Sequence, residues 1–136
     1  MKTILVFDRY PNMLEAFHRF LSEQNYRVLT IESLEEVIMI IEVVRVDMII
    51  MDAGMDSEAS IFETVMEIRK RKLRLSILLT ATYSDTLTEN RARELGAAHF
   101  MLKPFDPADL RRVVRQLVQE EQGTYGTKER GGVEMR

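Results

Sequence analysis

Residues 47–52 read Asp-Met-Ile-Ile-Met-Asp, four apolar residues in a row running into Asp52. A short apolar run without polar alternation suits a strand buried on both faces, which is the habit of parallel sheets. The same pattern recurs on either side. Ile4 to Phe7 ends at Asp8, Ile77-Leu78-Leu79 ends at Thr80, and His99-Phe100-Met101-Leu102 ends at Lys103. Val28-Leu29-Thr30-Ile31 completes a set of five.

The stretches between these runs carry helical spacing. Leu14, Phe17 and Leu21 share one face of a first helix, and Leu34, Val37, Ile38 and Ile41 share a face of a second. Ile61, Val65 and Ile68 mark a third. Leu87, Ala92 and Leu95 mark a fourth that stops at Gly96, a residue suited to ending a helix. Leu110, Val113, Val114, Leu117 and Val118 mark a fifth, entered from Asp106 as N-cap with Pro107 at the first helical position. Strict alternation of strand and helix predicts an α/β three-layer sandwich: a five-stranded parallel sheet with right-handed crossovers and five helices on its two faces. The expected strand order is 2-1-3-4-5, the flavodoxin-like arrangement. One domain over residues 1–121 accounts for the pattern, with 122–136 read as a flexible, glycine-rich tail.

Composition narrows the function classes. Hydrophobic residues make up 46% and charged residues 30% of the 136, as in an ordinary globular domain. Cysteine is absent, which excludes disulfides, thiolate chemistry and cysteine-based zinc sites. No apolar run approaches the length of a membrane span, and the N-terminus lacks a signal-peptide core, so a cytoplasmic protein is expected. A formal net charge of −3 gives no overall attraction to nucleic acid or anionic lipid, and neither is expected as a partner.

In an open doubly wound sheet, ligands gather at the carboxyl ends of the strands near the point where strand order reverses. Those ends carry Asp8-Arg9, Asp52, Thr80-Ala81 and Lys103-Pro104. Two carboxylates, a guanidinium, a hydroxyl and an ammonium therefore converge on one rim.

The segments 4–8, 47–52, 79–81, 96–98 and 100–105, in this order and spacing, resemble the signature segments of the CheY-like receiver domains of two-component response regulators. The likeness extends over roughly residues 2 to 120. It implies that Asp52 accepts a phosphoryl group from a sensor histidine kinase or phosphotransfer protein and that Asp8 lies in the acidic pocket. It also implies that Thr80 and Lys103 bind the phosphoryl oxygens and that Phe100 is the aromatic switch residue. The family's metal positions fall on Asp8, Asp52 and Gly54, and its X-Pro bond, here Lys103-Pro104, is usually cis. The chemistry is consistent with this: phosphoryl transfer depends on positioning and on cations that neutralise the equatorial oxygens.

Two departures matter. The family's second acid after the first strand, a magnesium ligand, is Arg9 here. A cation at that point opposes magnesium, and the end of the neighbouring strand lies about 4.8 Å away, so Arg9 is expected to reach Asp52. The loop Ala53-Gly54-Met55-Asp56-Ser57-Glu58 also lacks the family's usual proline. Asp56 is a candidate to replace the lost acid, with capping of the third helix as its plainer reading.

Other residues have plain readings. Ser84 is the expected cap near Thr80. His18 is a surface residue and His99 a structural one, and neither has a partner at metal-ligand spacing. Met39, Met48, Met51, Met66 and Met101 read as core filler. Arg111, Arg112 and Arg115 form a solvated basic side of the fifth helix. A flavin or nucleotide enzyme on the same fold lacks support, since Arg9-Tyr10-Pro11-Asn12 stands where a glycine-rich phosphate loop belongs. Two readings follow. The chain is either a phosphorelay switch acting through Thr80 and Phe100, or a pseudo-receiver interaction module working without magnesium-dependent phosphorylation. Both present the surface of the fourth helix, fifth strand and fifth helix to a downstream protein or a second copy.

Overall fold

The structure, a computed structural model, describes residues 1–54, 57–72, 74–82, 85 and 88–123, with backbone alone at 58 and 120–123. The strands are β1 (Thr3–Phe7), β2 (Arg27–Ile31), β3 (Met48–Asp52), β4 (Ser76–Thr82) and β5 (His99–Lys103). They alternate with α1 (Pro11–Ser22), α2 (Leu34–Val43), α3 (Glu58–Arg71), α4 (Glu89–Glu94) and α5 (Pro107–Gly123). All neighbouring strands are parallel, in the order β2-β1-β3-β4-β5, as the alternation predicts.

Alternate side chains of each strand enter the two layers. Leu5, Phe7, Ile49, Met51, Ile77 and Leu79 pack under α2, α3 and α4 through Val37, Ile41, Ile61, Val65, Ile68 and Ala92. Ile4, Val6, Met48, Ile50 and Leu78 face α1 and α5 through Phe17, Leu21, Leu110, Val114 and Leu117. Each fully buried aliphatic side chain is worth about 1.5–3 kcal/mol, so the central strands anchor everything at their ends. The register then brings the functional positions side by side: Phe7 lies opposite Met51, Asp52 opposite Thr80, and Thr82 opposite Lys103.

Helix ends follow local chemistry. The Asp106 carboxylate accepts from the Ala108 N–H at 2.8 Å, with Pro107 first in α5, and Gly96 adopts φ 100° just beyond α4. The cap of α3 is Ser57, whose hydroxyl accepts from the Ser60 N–H at 3.1 Å, and that of α4 is Thr88. Ser84, expected as a cap, lies outside the described residues, as do Asp56 and Leu87.

Other expectations need correction. The fourth strand runs past Thr80 to Thr82, because β5 continues the ladder to Lys103. The fifth strand is only half-buried, since it forms a sheet edge. Met39 and Met66 are exposed at 66% and 44%, on the outer sides of α2 and α3, whereas Met48 and Met51 are core. Helix α5 runs through Gly123, and residues 124–136 of the expected tail lie outside the described residues. Among the described residues no helix is long and apolar enough to cross a membrane.

Candidate functional site

The rim gathers Asp8, Arg9, Asp52, Thr80 and Lys103. Asp8, Asp52, Thr80 and Lys103 are all buried, Asp52 and Thr80 completely. Ionised groups persist in such a place only when paired and hydrogen-bonded. Lys103 Nζ donates to Asp8 Oδ2 at 2.8 Å and lies 3.6 Å from Asp52 Oδ2. The Tyr10 N–H donates to Asp8 Oδ1 at 2.9 Å. Asp52 accepts at Oδ1 from the Gly54 N–H at 3.0 Å and at Oδ2 from the Arg9 N–H at 3.2 Å. The peptide between Lys103 and Pro104 is cis.

The Arg9 side chain turns inward across this rim. Its Nε stands 2.8 Å from Asp52 Oδ2, off the line of a hydrogen bond, so that this contact is an ion pair without a directional bond. Its Nη1 donates to the Gly54 carbonyl at 3.1 Å and its Nη2 to Asp85 Oδ2 at 2.5 Å. The guanidinium carbon sits 5.0 Å from the centroid of the Tyr10 ring, within cation–π range. The expected reach of Arg9 to Asp52 is therefore present, together with two contacts that the sequence reading missed. Gly54 makes the approach feasible. A Cβ built on it would fall 2.2 Å from Nη2.

Asp85 carried no sequence signal, standing five residues past Thr80 in a stretch without periodicity. Its Oδ2 also accepts from the Thr82 N–H at 2.8 Å and the Thr82 hydroxyl at 3.2 Å. The bond from Arg9 is the main cause that holds the Asp85 carboxyl below its usual pKa, and the same bond raises that of Arg9. An acid with a depressed folded-state pKa contributes stability above its unfolded value and loses it as pH falls through the folded value. Wild type is accordingly expected to melt above Asp85→Asn near neutrality, the gap closing as the pH drops below about 3.9. Melting curves of both proteins across that range check this, and a constant gap would refute it.

Thr80 Oγ1 is buried and has no hydrogen-bond partner among the described residues. Phe100 is half-buried on β5, and it packs against the α2–α3–α4 core layer.

The model for the response regulator receiver domain matches residues 4–115. The chain belongs to that family. Receiver domains pair with histidine kinases or phosphotransfer proteins, and they sit with effector domains in two-component signalling. This receiver domain is 27% identical over 117 residues to the alkaline phosphatase synthesis transcriptional regulatory protein PhoP of Bacillus subtilis, covering 86% of this chain and 48% of that protein. It is 31% identical over 135 residues to the hydrogenase transcriptional regulatory protein HoxA of Cupriavidus necator, covering 98% of this chain and 27% of that one. The chain thus spans about half or less of these relatives. Among solved structures, the response regulator TrrA from Thermotoga maritima, in complex with Mg(2+)-BeF, superposes with a TM-score of 0.72 at 31% identity, covering 86% and 99% of the two chains. NtrX from Brucella abortus in complex with ADP gives a TM-score of 0.83 at 19% identity, covering 96% of this chain and 29% of that one, a likeness of fold alone.

Receiver domains generally bind magnesium at this pocket. The described residues of this pocket do not fit that ion. Magnesium needs several oxygens facing one point, and here Arg9 engages both Asp52 and the Gly54 carbonyl while Lys103 engages Asp8. Among the described residues no group of three or more acids or histidines could hold a metal. Asp8, Arg9, Asp52, Asp85 and Lys103 form a network whose formal charges sum to −1, so a dication would leave it with one uncompensated positive charge.

Proposed function

We propose that this receiver domain works as a pseudo-receiver, a protein-interaction module of a two-component system whose acceptor pocket is closed by its own arginine. The observation that carries this reading is the Arg9 guanidinium bridging Asp52 and the Gly54 carbonyl. For transfer, an Asp52 oxygen must attack phosphorus in line while the bond from phosphorus to the donor breaks. Here Oδ2 faces Arg9 and Lys103, and Oδ1 accepts from Gly54, so both oxygens are engaged.

A second reading is favoured by the buried Thr80 hydroxyl, which has no hydrogen-bond partner among the described residues. An acyl phosphate on Asp52 would find that donor beside it, with Lys103 and Arg9 as cations that need no metal. In this reading the switch passes through Thr80 and Phe100, and the donor is a histidine kinase or phosphotransfer protein. In both readings the output face is that of α4, β5 and α5, toward a downstream protein or a second copy. Charges on that face are largely used within their own helices, since Arg91 pairs with Glu94, Arg93 with Glu89 and Arg112 with Asp109. Arg111 lies 6.0 Å from the Phe20 ring.

The test is prompt intact-mass measurement after exposure to a small acyl phosphate, with and without magnesium. The expected result is no phosphoryl adduct in either condition. An adduct that requires magnesium would overturn the proposal, and one that forms equally without it would select the second reading.

A further inference from the structure

We propose that Asp85 is a positioning residue that locks the Arg9 guanidinium into the acceptor pocket, so that the exclusion of divalent cations is set from the turn after β4. The inference rests on the reading that the guanidinium takes the place of a metal, and it assigns the cause of that placement.

An arginine side chain is long and has many rotamers, so an exposed carboxylate alone holds it loosely. Here each arm of the guanidinium has its own partner: Nε at Asp52 on the end of β3, Nη1 at the Gly54 carbonyl in the loop that follows, and Nη2 at Asp85 after β4. The first contact lacks hydrogen-bond alignment, and the second is to a neutral carbonyl. The Nη2 contact is the one charged, directional bond of the three, and such bonds are the strong ones. Asp85 is itself prevented from following the arginine outward. Its Oδ2 accepts from the Thr82 N–H and hydroxyl, and its own N–H donates to the Thr82 carbonyl at 3.1 Å. Thr82 in turn belongs to β4, opposite Lys103 in β5. The guanidinium is thus tied to the sheet through Asp85. Tyr10 covers one side of it, and the missing Cβ of Gly54 leaves the space it fills.

Without Asp85, the partly exposed Arg9 side chain loses its outer anchor and competes less well with a cation for Asp52 and the Gly54 carbonyl. The experiment titrates manganese, followed by water-proton relaxation, and magnesium, followed by calorimetry, into the 136-residue wild-type chain, Arg9→Asp and Asp85→Asn. The asparagine side chain of the last variant keeps an oxygen for the Thr82 amide, and Asp85→Ser serves as a second variant that does the same. Cooperative melting identifies the folded variants. Wild type is expected to show no saturable binding through the millimolar range, and Arg9→Asp to bind. Asp85→Asn, whose neutral amide oxygen weakens the bond from Arg9 without abolishing it, is expected to bring saturable binding into the millimolar range, a gain of roughly tenfold or more, the factor for replacing one charge-assisted hydrogen bond by a neutral one on the competitor. If Arg9→Asp binds while folded Asp85 variants behave as wild type, the positioning role is wrong and the pseudo-receiver reading stands. If wild type binds as tightly as Arg9→Asp, the pseudo-receiver reading fails beneath it.

Discussion

Arg9→Asp is expected to convert this domain into a magnesium-dependent phosphoacceptor, with Asp52 phosphorylated by a small acyl phosphate at least about a hundredfold faster than in wild type when magnesium is present. The ion pair between Arg9 and Asp52 is close, at 2.8 Å, and Asp52 is fully buried. Opposite charges near 4 Å attract by about 4 kcal/mol at an effective dielectric near 20, and desolvation takes back part of this. A remainder of about 3 kcal/mol, removed from the ground state of the nucleophile, corresponds to roughly a hundredfold in rate. The substitution changes the local charge by two units and places a third carboxylate beside Asp8 and Asp52. In the absence of metal, these like charges are expected to lower the melting temperature, and magnesium is expected to restore it. Phosphorylation rates by intact mass, with melting curves in parallel, test both halves. A variant that remains inert in magnesium would show that something other than the guanidinium closes the pocket.

Lys103→Met is expected to cost about 3–5 kcal/mol of stability, the usual result of removing one partner from a buried ion pair. Lys103 is 5% exposed, and its ammonium holds two buried carboxylates, Asp8 at 2.8 Å and Asp52 at 3.6 Å. Asp52 retains Arg9, whereas Asp8 is left with the Tyr10 N–H as its remaining donor among the described residues. Adding Asp8→Asn to the variant is expected to recover much of the loss, because the stranded charge is then gone. Urea denaturation of wild type, Lys103→Met and the double variant checks this. A loss below about 1 kcal/mol for the single variant, the scale of an exposed pair, would mean that water reaches the ammonium.

Much of this molecule is legible in one dimension. Apolar runs without alternation at 4–7 and 48–51 identify strands covered on both faces, and the amphipathic stretches between them require parallel connections. Parallel strands all end on the same side, so Asp8, Asp52, Thr80 and Lys103 meet at one rim. Even the approach of Arg9 to Asp52 follows from the spacing of adjacent strands.

What the chain alone does not reveal depends on contacts between loops that have no periodic pattern. Met39 and Met66 sit in apolar company in sequence but on the outer side of their helices. Ser57 and Thr88 cap α3 and α4, positions fixed by hydrogen-bond direction at the first turn and not by residue type alone. Asp85 is the strongest case. Nothing in its neighbourhood distinguishes it from a solvated turn residue, and it gains its meaning from Arg9, 76 positions earlier in the chain. The sequence by itself determined the order of elements and the composition of the rim, since both follow from hydrophobic patterning and strand polarity. Only the tertiary structure decided which carboxylate anchors which cation, because a long side chain with several acids in reach is assigned by loop geometry and by the one missing Cβ at Gly54.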